Sequence, residues 1–95
     1  MMNKINEAKK YLELHGAIYG IHYTIGGLGN NVYGIEKIGK FWYSYKSEKP
    51  YNYRKTNYIR LGSEDAASDF IIKEGKRAAI KSGSWLENSS QQNSS

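Results

Sequence analysis

The sequence predicts an α+β fold: a four-stranded antiparallel sheet with an N-terminal and a C-terminal helix packed on one face. Three observations predict it. Apolar residues at helical spacing open the chain, segments with period-2 alternation separated by glycines fill its middle, and a second helical pattern follows Ser63. Strands grouped between two helices indicate segregated α+β rather than an alternating parallel α/β sheet.

Residues 3–15 read as the first helix. Asn3 suits an N-cap, and Glu7 adds negative charge to the first turn, where backbone N–H groups lack partners. Ile5, Ala8, Leu12 and His15 fall on one stripe, with Tyr11 at its edge. Gly16 is a fitting stop, because the position after a helix favours a left-handed backbone. Residues 17–25 are β-branched and aromatic and read as a strand. Tyr19, Ile21, Tyr23 and Ile25 take one face of it, and Ile18, Gly20, His22 and Thr24 take the other. Gly26-Gly27-Leu28-Gly29-Asn30-Asn31 makes a loop. A second strand runs over 32–37, a short turn over 38–40 and a third strand over 41–47, with spacing that favours antiparallel hairpins. A polar loop around Pro50 covers 48–56. A short fourth strand over 58–61 ends at Gly62.

Ser63 is the expected N-cap of the second helix, with Glu64 and Asp65 in its first turn. That helix runs to about Lys81 and buries Ala67, Phe70, Ile71 and Ala78. Gly75 costs it about 1 kcal/mol relative to Ala and marks a place where it ends or bends. Gly83 is the last cap. Residues 1–86 form a single domain, and the polar residues 87–95 are expected to be a disordered tail.

The composition narrows the class. Ninety-five residues make one domain with one modest core, which leaves little room for a deep substrate cavity. The absence of cysteine removes disulfides, thiolate metal sites and cysteine nucleophiles. No apolar run approaches the roughly 18 residues of a membrane span, and the N-terminus shows no apolar signal-peptide core. A cytoplasmic protein without a membrane partner is the expectation.

Net charge is +5, and its distribution is uneven. Residues 1–36 balance, and residues 63–95 sum to −1. Residues 37–62 carry Lys37, Lys40, Lys46, Lys49, Arg54, Lys55 and Arg60 against Glu48 alone, a net of +6. The same stretch holds Phe41, Trp42, Tyr43, Tyr45, Tyr51, Tyr53 and Tyr58. Basic and aromatic residues together suit contact with an acidic partner, protein or nucleic acid.

Chemistry finds less support. The glycine loop precedes a strand, whereas phosphate cradles need a helix N-terminus, so it reads as a hairpin loop. His15 and His22 lack a third ligand at recognisable spacing, and structural roles are expected for both. Glu36 and Glu48 show no set geometry for acid–base work. No Ser or Thr nucleophile has a recognisable base. The expectation is a protein with no catalysis of its own, no cofactor and no metal.

Three stretches carry a family resemblance: Tyr23-Thr-Ile-Gly-Gly-Leu-Gly-Asn-Asn-Val-Tyr-Gly-Ile-Glu36, Gly39-Lys-Phe-Trp-Tyr-Ser-Tyr-Lys-Ser-Glu48 and Ser63-Glu-Asp-Ala-Ala-Ser-Asp-Phe70. In that order the chain resembles small immunity proteins of bacterial polymorphic toxin and contact-dependent inhibition systems. These pair a Gly-Gly-Leu loop with a Trp-x-x-Tyr-x-Ser-Glu strand and an acidic helix start. Trp42, Tyr45, Ser47 and Glu48 fill the strand motif, while Lys49-Pro50 stands where the family pattern often continues Arg-Gly. The resemblance spans about residues 5–75. It implies a protein that binds one cognate toxin domain and occludes it. The basic surplus then implies an acidic contact surface on the toxin's C-terminal domain. Residues 43–60 supply the expected contacts: Tyr45, Tyr51, Tyr53, Arg54, Lys55, Tyr58 and Arg60. A monomer or weak homodimer fits, since an open sheet edge pairs readily with a copy. The alternative is a small nucleic-acid-binding domain that uses a basic aromatic three-stranded sheet.

Overall fold

The computed structural model describes residues 3–48 and 54–87. The elements run α1 (Lys4–Leu14), β1 (Thr24–Ile25), β2 (Val32–Ile38), β3 (Phe41–Glu48), β4 (Arg54–Gly62) and α2 (Glu64–Ser82). The four strands form one sheet in the order β1-β2-β3-β4. The β2–β3 and β3–β4 pairs are antiparallel, and β1 runs parallel to β2. The fold is α+β with a mostly antiparallel sheet.

Both helices start as their sequences dictate. The Asn3 side chain accepts a hydrogen bond from the Asn6 amide at 2.7 Å, and Ser63 Oγ accepts one from the Ala66 amide at 3.1 Å. Each satisfies an amide that has no partner in the first turn. Gly83, at φ 82°, closes α2 in the left-handed conformation. Ile5, Ala8 and Leu12 of α1 join Ala67, Ile71 and Ala79 of α2, with Tyr23 and Ile35, in one buried cluster. Trp42, Leu61, Phe70 and Trp85 pack against it. The core therefore lies between the helices and one face of the sheet.

Gly75 neither ends nor bends α2, which is continuous through it. A Cβ there would lie 3.0 Å from Leu12 Cδ2, so the missing side chain is the notch that seats Leu12. The backbone cost of glycine is offset by helix–helix contact. Beyond α2 the chain turns back onto α1. The Leu86 amide donates to the His15 carbonyl at 2.7 Å, Ser84 Oγ donates to the Gly16 carbonyl at 3.0 Å, and Trp85 stacks on the His15 ring at 5.0 Å. The expected tail, 87–95, lies outside the described residues apart from Glu87.

The expected strand over 17–25 is corrected to two residues. Residues 18–22 instead turn on themselves, with the Ile21 and His22 amides both donating to the Ile18 carbonyl. His22 explains the preference. Its Nδ1 accepts from the Ile18 amide at 2.8 Å, and its Nε2 lies 2.8 Å from Ser82 Oγ. A side chain that captures a nearby backbone amide competes with the ladder. The parallel pairing of β1 also departs from the expected hairpins. Ile25 lies level with Ile35, so the chain must retreat only to the level of Val32. That distance is three residues, about 10 Å, within reach of the six linking residues 26–31.

The fourth strand begins at Arg54 and not at Tyr58. Its first residues are too polar to read as a strand, because β4 is an edge and β3 is its ladder partner. Two register irregularities interrupt the pairing, one of them at Asn57, which sits at φ 57°. Asparagine tolerates that left-handed conformation better than other side chains do.

Two stability measurements test these packing assignments. A Cβ on Gly34 would lie 2.5 Å from Tyr45 Cζ and 2.6 Å from Thr24 Cγ2. Gly34→Ala should therefore lower the unfolding free energy in urea by about 1–3 kcal/mol through overpacking. His22 is buried, and desolvation lowers the pKa of its imidazole. With Nδ1 accepting from a backbone amide, the neutral ring is the one that fits. The unfolded chain holds the proton near its ordinary value of about 6.5. Below that value unfolding takes up a proton, so stability falls as pH falls through it and the contribution is complete above it. The urea midpoint should drop between neutral pH and mildly acidic pH, and His22→Gln should remove that part of the pH dependence.

Candidate functional site

The face of the sheet away from the helices is built by alternation. On β3 it presents Phe41, Tyr43, Tyr45 and Ser47, because Trp42 packs with the core on the other side. On β2 the same face carries Val32, Gly34, Glu36 and Ile38, which pair with Ser47, Tyr45, Tyr43 and Phe41. On β4 it carries Lys55, Tyr58 and Arg60.

The glycine loop covers one half of this face. Gly29 lies against Val32, and its amide donates to Ser47 Oγ at 2.7 Å, while that hydroxyl donates to the Gly29 carbonyl at 2.9 Å. The Tyr45 ring lies across Gly34, and its hydroxyl donates to the Gly27 carbonyl at 2.7 Å. Burial pushes that hydroxyl's pKa well above its ordinary value. Lys55 closes the arrangement. Its ammonium donates to Glu36 Oε1 at 2.7 Å and to the Gly26 carbonyl at 2.9 Å, and sits over the Tyr45 ring at 5.1 Å. The loop is thereby strapped onto the sheet.

The other half is open. Phe41, Ile38 and Tyr58 are each about two-fifths exposed. Tyr58 packs edge-on to Tyr43 at 6.4 Å and against Tyr45 at 5.6 Å. Desolvation, then the Glu36 carboxylate, raises the pKa of its hydroxyl. The Arg60 guanidinium stacks on Phe41 with 4.3 Å from Cζ to the ring centroid. An exposed apolar patch with an arginine at its edge has the residue types that contact surfaces favour.

The expected contact residues divide five ways. Tyr58 and Arg60 stand together on the open half. Tyr45 is 1% exposed, so it offers a partner no area and serves as the support beneath the patch. Lys55 holds the strap. Arg54 pairs with Glu48 in the ladder, on the opposite face from Lys55. Tyr51 and Tyr53 lie outside the described residues. Phe41, Tyr43 and Ile38 complete the patch and were not among the expected contacts, although strand alternation over 41–45 places Phe41, Tyr43 and Tyr45 on one face.

The basic stretch is divided in the same way. Lys46 lies over the Tyr33 ring, which meets Phe70 of α2, and Lys37 pairs with Trp42, so both point to the helix side. Elsewhere, a groove of about 270 Å³ between α1 and β1 is lined by Ile5, Asn6, Lys9, Tyr19 and Ile25. Its cation is already matched, since Lys9 pairs with Glu13 at 3.7 Å and lies over Tyr19. Among the described residues, no group of three or more His, Asp or Glu side chains is placed to hold a metal ion, and no helix is long and apolar enough to cross a membrane. No family model, curated protein or solved structure matches the chain.

The strap's energetics are measurable. Lys55 and Glu36 are each about one-quarter exposed as side chains, which places the pair between a surface and a buried ion pair. A double-mutant cycle with Lys55→Met and Glu36→Gln should give a coupling of about 1 kcal/mol, read from urea unfolding. Lys55→Met alone should cost more than that coupling, because it also removes the hydrogen bond that ties the Gly26 carbonyl to the sheet.

Proposed function

We propose that this protein is an immunity-type binding protein that occludes an acidic toxin domain with the open half of its sheet. The observation that carries the reading is the exposed patch of Ile38, Phe41, Tyr58 and Arg60, with half-buried Tyr43 among them, on the face the helices leave uncovered. Such a patch has the residue types that dominate interface energetics: aromatic rings of large area and an arginine already held in place. The sequence resemblance supplies the partner class. Occlusion needs no catalytic group, and it suits a small rigid sheet.

Nucleic-acid binding is the weaker reading, for an electrostatic reason. Duplex binding gains affinity by neutralising several phosphates along one surface. Here Lys37, Lys46 and Arg54 face the helix side, and Lys55 is committed to Glu36.

Co-expression with the C-terminal domain of the protein encoded directly upstream tests the proposal. The expected outcome is restored growth of the toxin-expressing cells and a complex that co-purifies. Absence of both outcomes would remove the toxin reading. Binding to duplex DNA that weakens steeply with salt and needs no protein partner would replace it.

A further inference from the structure

We infer that Arg60 is the specificity anchor of the open face, and that it takes a carboxylate presented among apolar side chains of an acidic protein. This inference rests on reading that face as a contact surface, and it names the residue and the partner chemistry.

The first support is the backbone that places Arg60 there. Lys55 lies on the open face, where it reaches Glu36, Gly26 and the Tyr45 ring. Strict alternation from Lys55 would put Asn57, Ile59 and Leu61 on that face and turn Tyr58 and Arg60 toward the helices. The irregularity at Asn57 inserts one residue and reverses the facing of the residues after it, as far as the second irregularity beside Leu61. Leu61 thereby reaches the core, while Tyr58 and Arg60 join Tyr43 and Phe41. A left-handed asparagine in an edge strand is what this placement requires. Bulges commonly serve to re-aim a functional side chain.

The second support is preorganisation. Contact with the Phe41 ring restrains the guanidinium, and a planar fork of N–H donors suits two-point contact with a carboxylate. The ordering cost of the side chain is largely met before a partner arrives. Ile38, Phe41 and Tyr58 beside it provide apolar area that a phosphate backbone would not use.

The third support is charge complementarity. Glu36 is the carboxylate on the described part of this face, and it is paired with Lys55. A second copy of the chain would therefore bring Arg60 no free acid from the same face. An acidic heterologous surface fits better.

Selection of random peptides displayed on phage against the immobilised full chain tests this without knowledge of the natural partner. Enriched peptides are then titrated against the wild type, Arg60→Glu, Arg60→Lys and Arg54→Glu, with melting temperature confirming that each variant folds. Enriched peptides should carry Asp or Glu beside aromatic or aliphatic residues. Arg60→Glu should weaken them about tenfold or more, and Arg60→Lys severalfold, because the charge stays while the planar fork is lost. Arg54→Glu makes the same change in net charge on the other face and should leave binding unchanged. The inference is overturned if no acidic peptides are enriched or if Arg54→Glu weakens binding as much as Arg60→Glu. Duplex DNA that binds the wild type and loses affinity in Arg60→Glu would also overturn it, by assigning the arginine to phosphate. Growth rescue that survives Arg60→Glu would remove this inference and leave the toxin reading. Acidic peptides without growth rescue would do the reverse.

Discussion

The open face depends on one close approach, the Tyr45 ring lying across Gly34. Any side chain at Gly34 would overlap the ring and the Thr24 methyl. With glycine there, Tyr45 lies flat enough for its hydroxyl to reach the Gly27 carbonyl and hold the loop over the sheet. The ring then serves as a floor. Lys55 sits over it while bonding Glu36 and Gly26, and Tyr58 leans on it. The exposed aromatic patch is thus supported from below by a buried aromatic ring, so its shape is fixed before any partner binds.

On the other side of the sheet the constraint is again a missing side chain. Leu12 enters the notch at Gly75, and this brings α1 onto α2. The stacking of Trp85 on His15 and the return of Leu86 to the His15 carbonyl then tie the end of one helix to the region beyond the other. His22 adds a link from the 18–22 turn to Ser82 at the C-terminus of α2. The small core is closed by these polar and aromatic links at its rim. A domain of this size buries a limited fraction of its surface, so each such link is a larger share of its stability.

Signals local to a helix were legible in the sequence. Asn3, Ser63 and Gly83 cap as their residue types dictate, and the stripe of Ile5, Ala8 and Leu12 is buried as its spacing requires. What sequence reasoning missed depends on contacts between distant residues. His22 bonds the Ile18 amide with one ring nitrogen while Ser82, sixty residues away, lies against the other. Gly75 looks like a helix breaker until Leu12 is placed against it. Residues 54–57 look like a loop until Lys55 is seen bonding across to Glu36. For the candidate site, the aromatic and basic types and Tyr58 with Arg60 were visible. Their facing was not, because one inserted residue at Asn57 inverts the alternation that any pattern reading assumes.

That inversion alters the electrostatic argument as well. Read along the chain, residues 37–62 form a single block of net +6. In the folded sheet the block divides. Lys37, Lys46 and Arg54 face the helix side, while on the open side Lys55 and Glu36 neutralise each other. Charges separated by more than about 8 Å are largely screened at physiological ionic strength. A partner docked on the open face therefore meets the field of Arg60, with Lys40 at the hairpin tip, far more than the field of the whole block. The remaining cations act at longer range, where they raise the rate of encounter with an acidic surface without choosing among acidic surfaces. Choice falls to the groups in contact, and there the patch offers one oriented guanidinium set in an apolar surround. On the proposed reading, attraction and discrimination fall to opposite faces of the same short sheet.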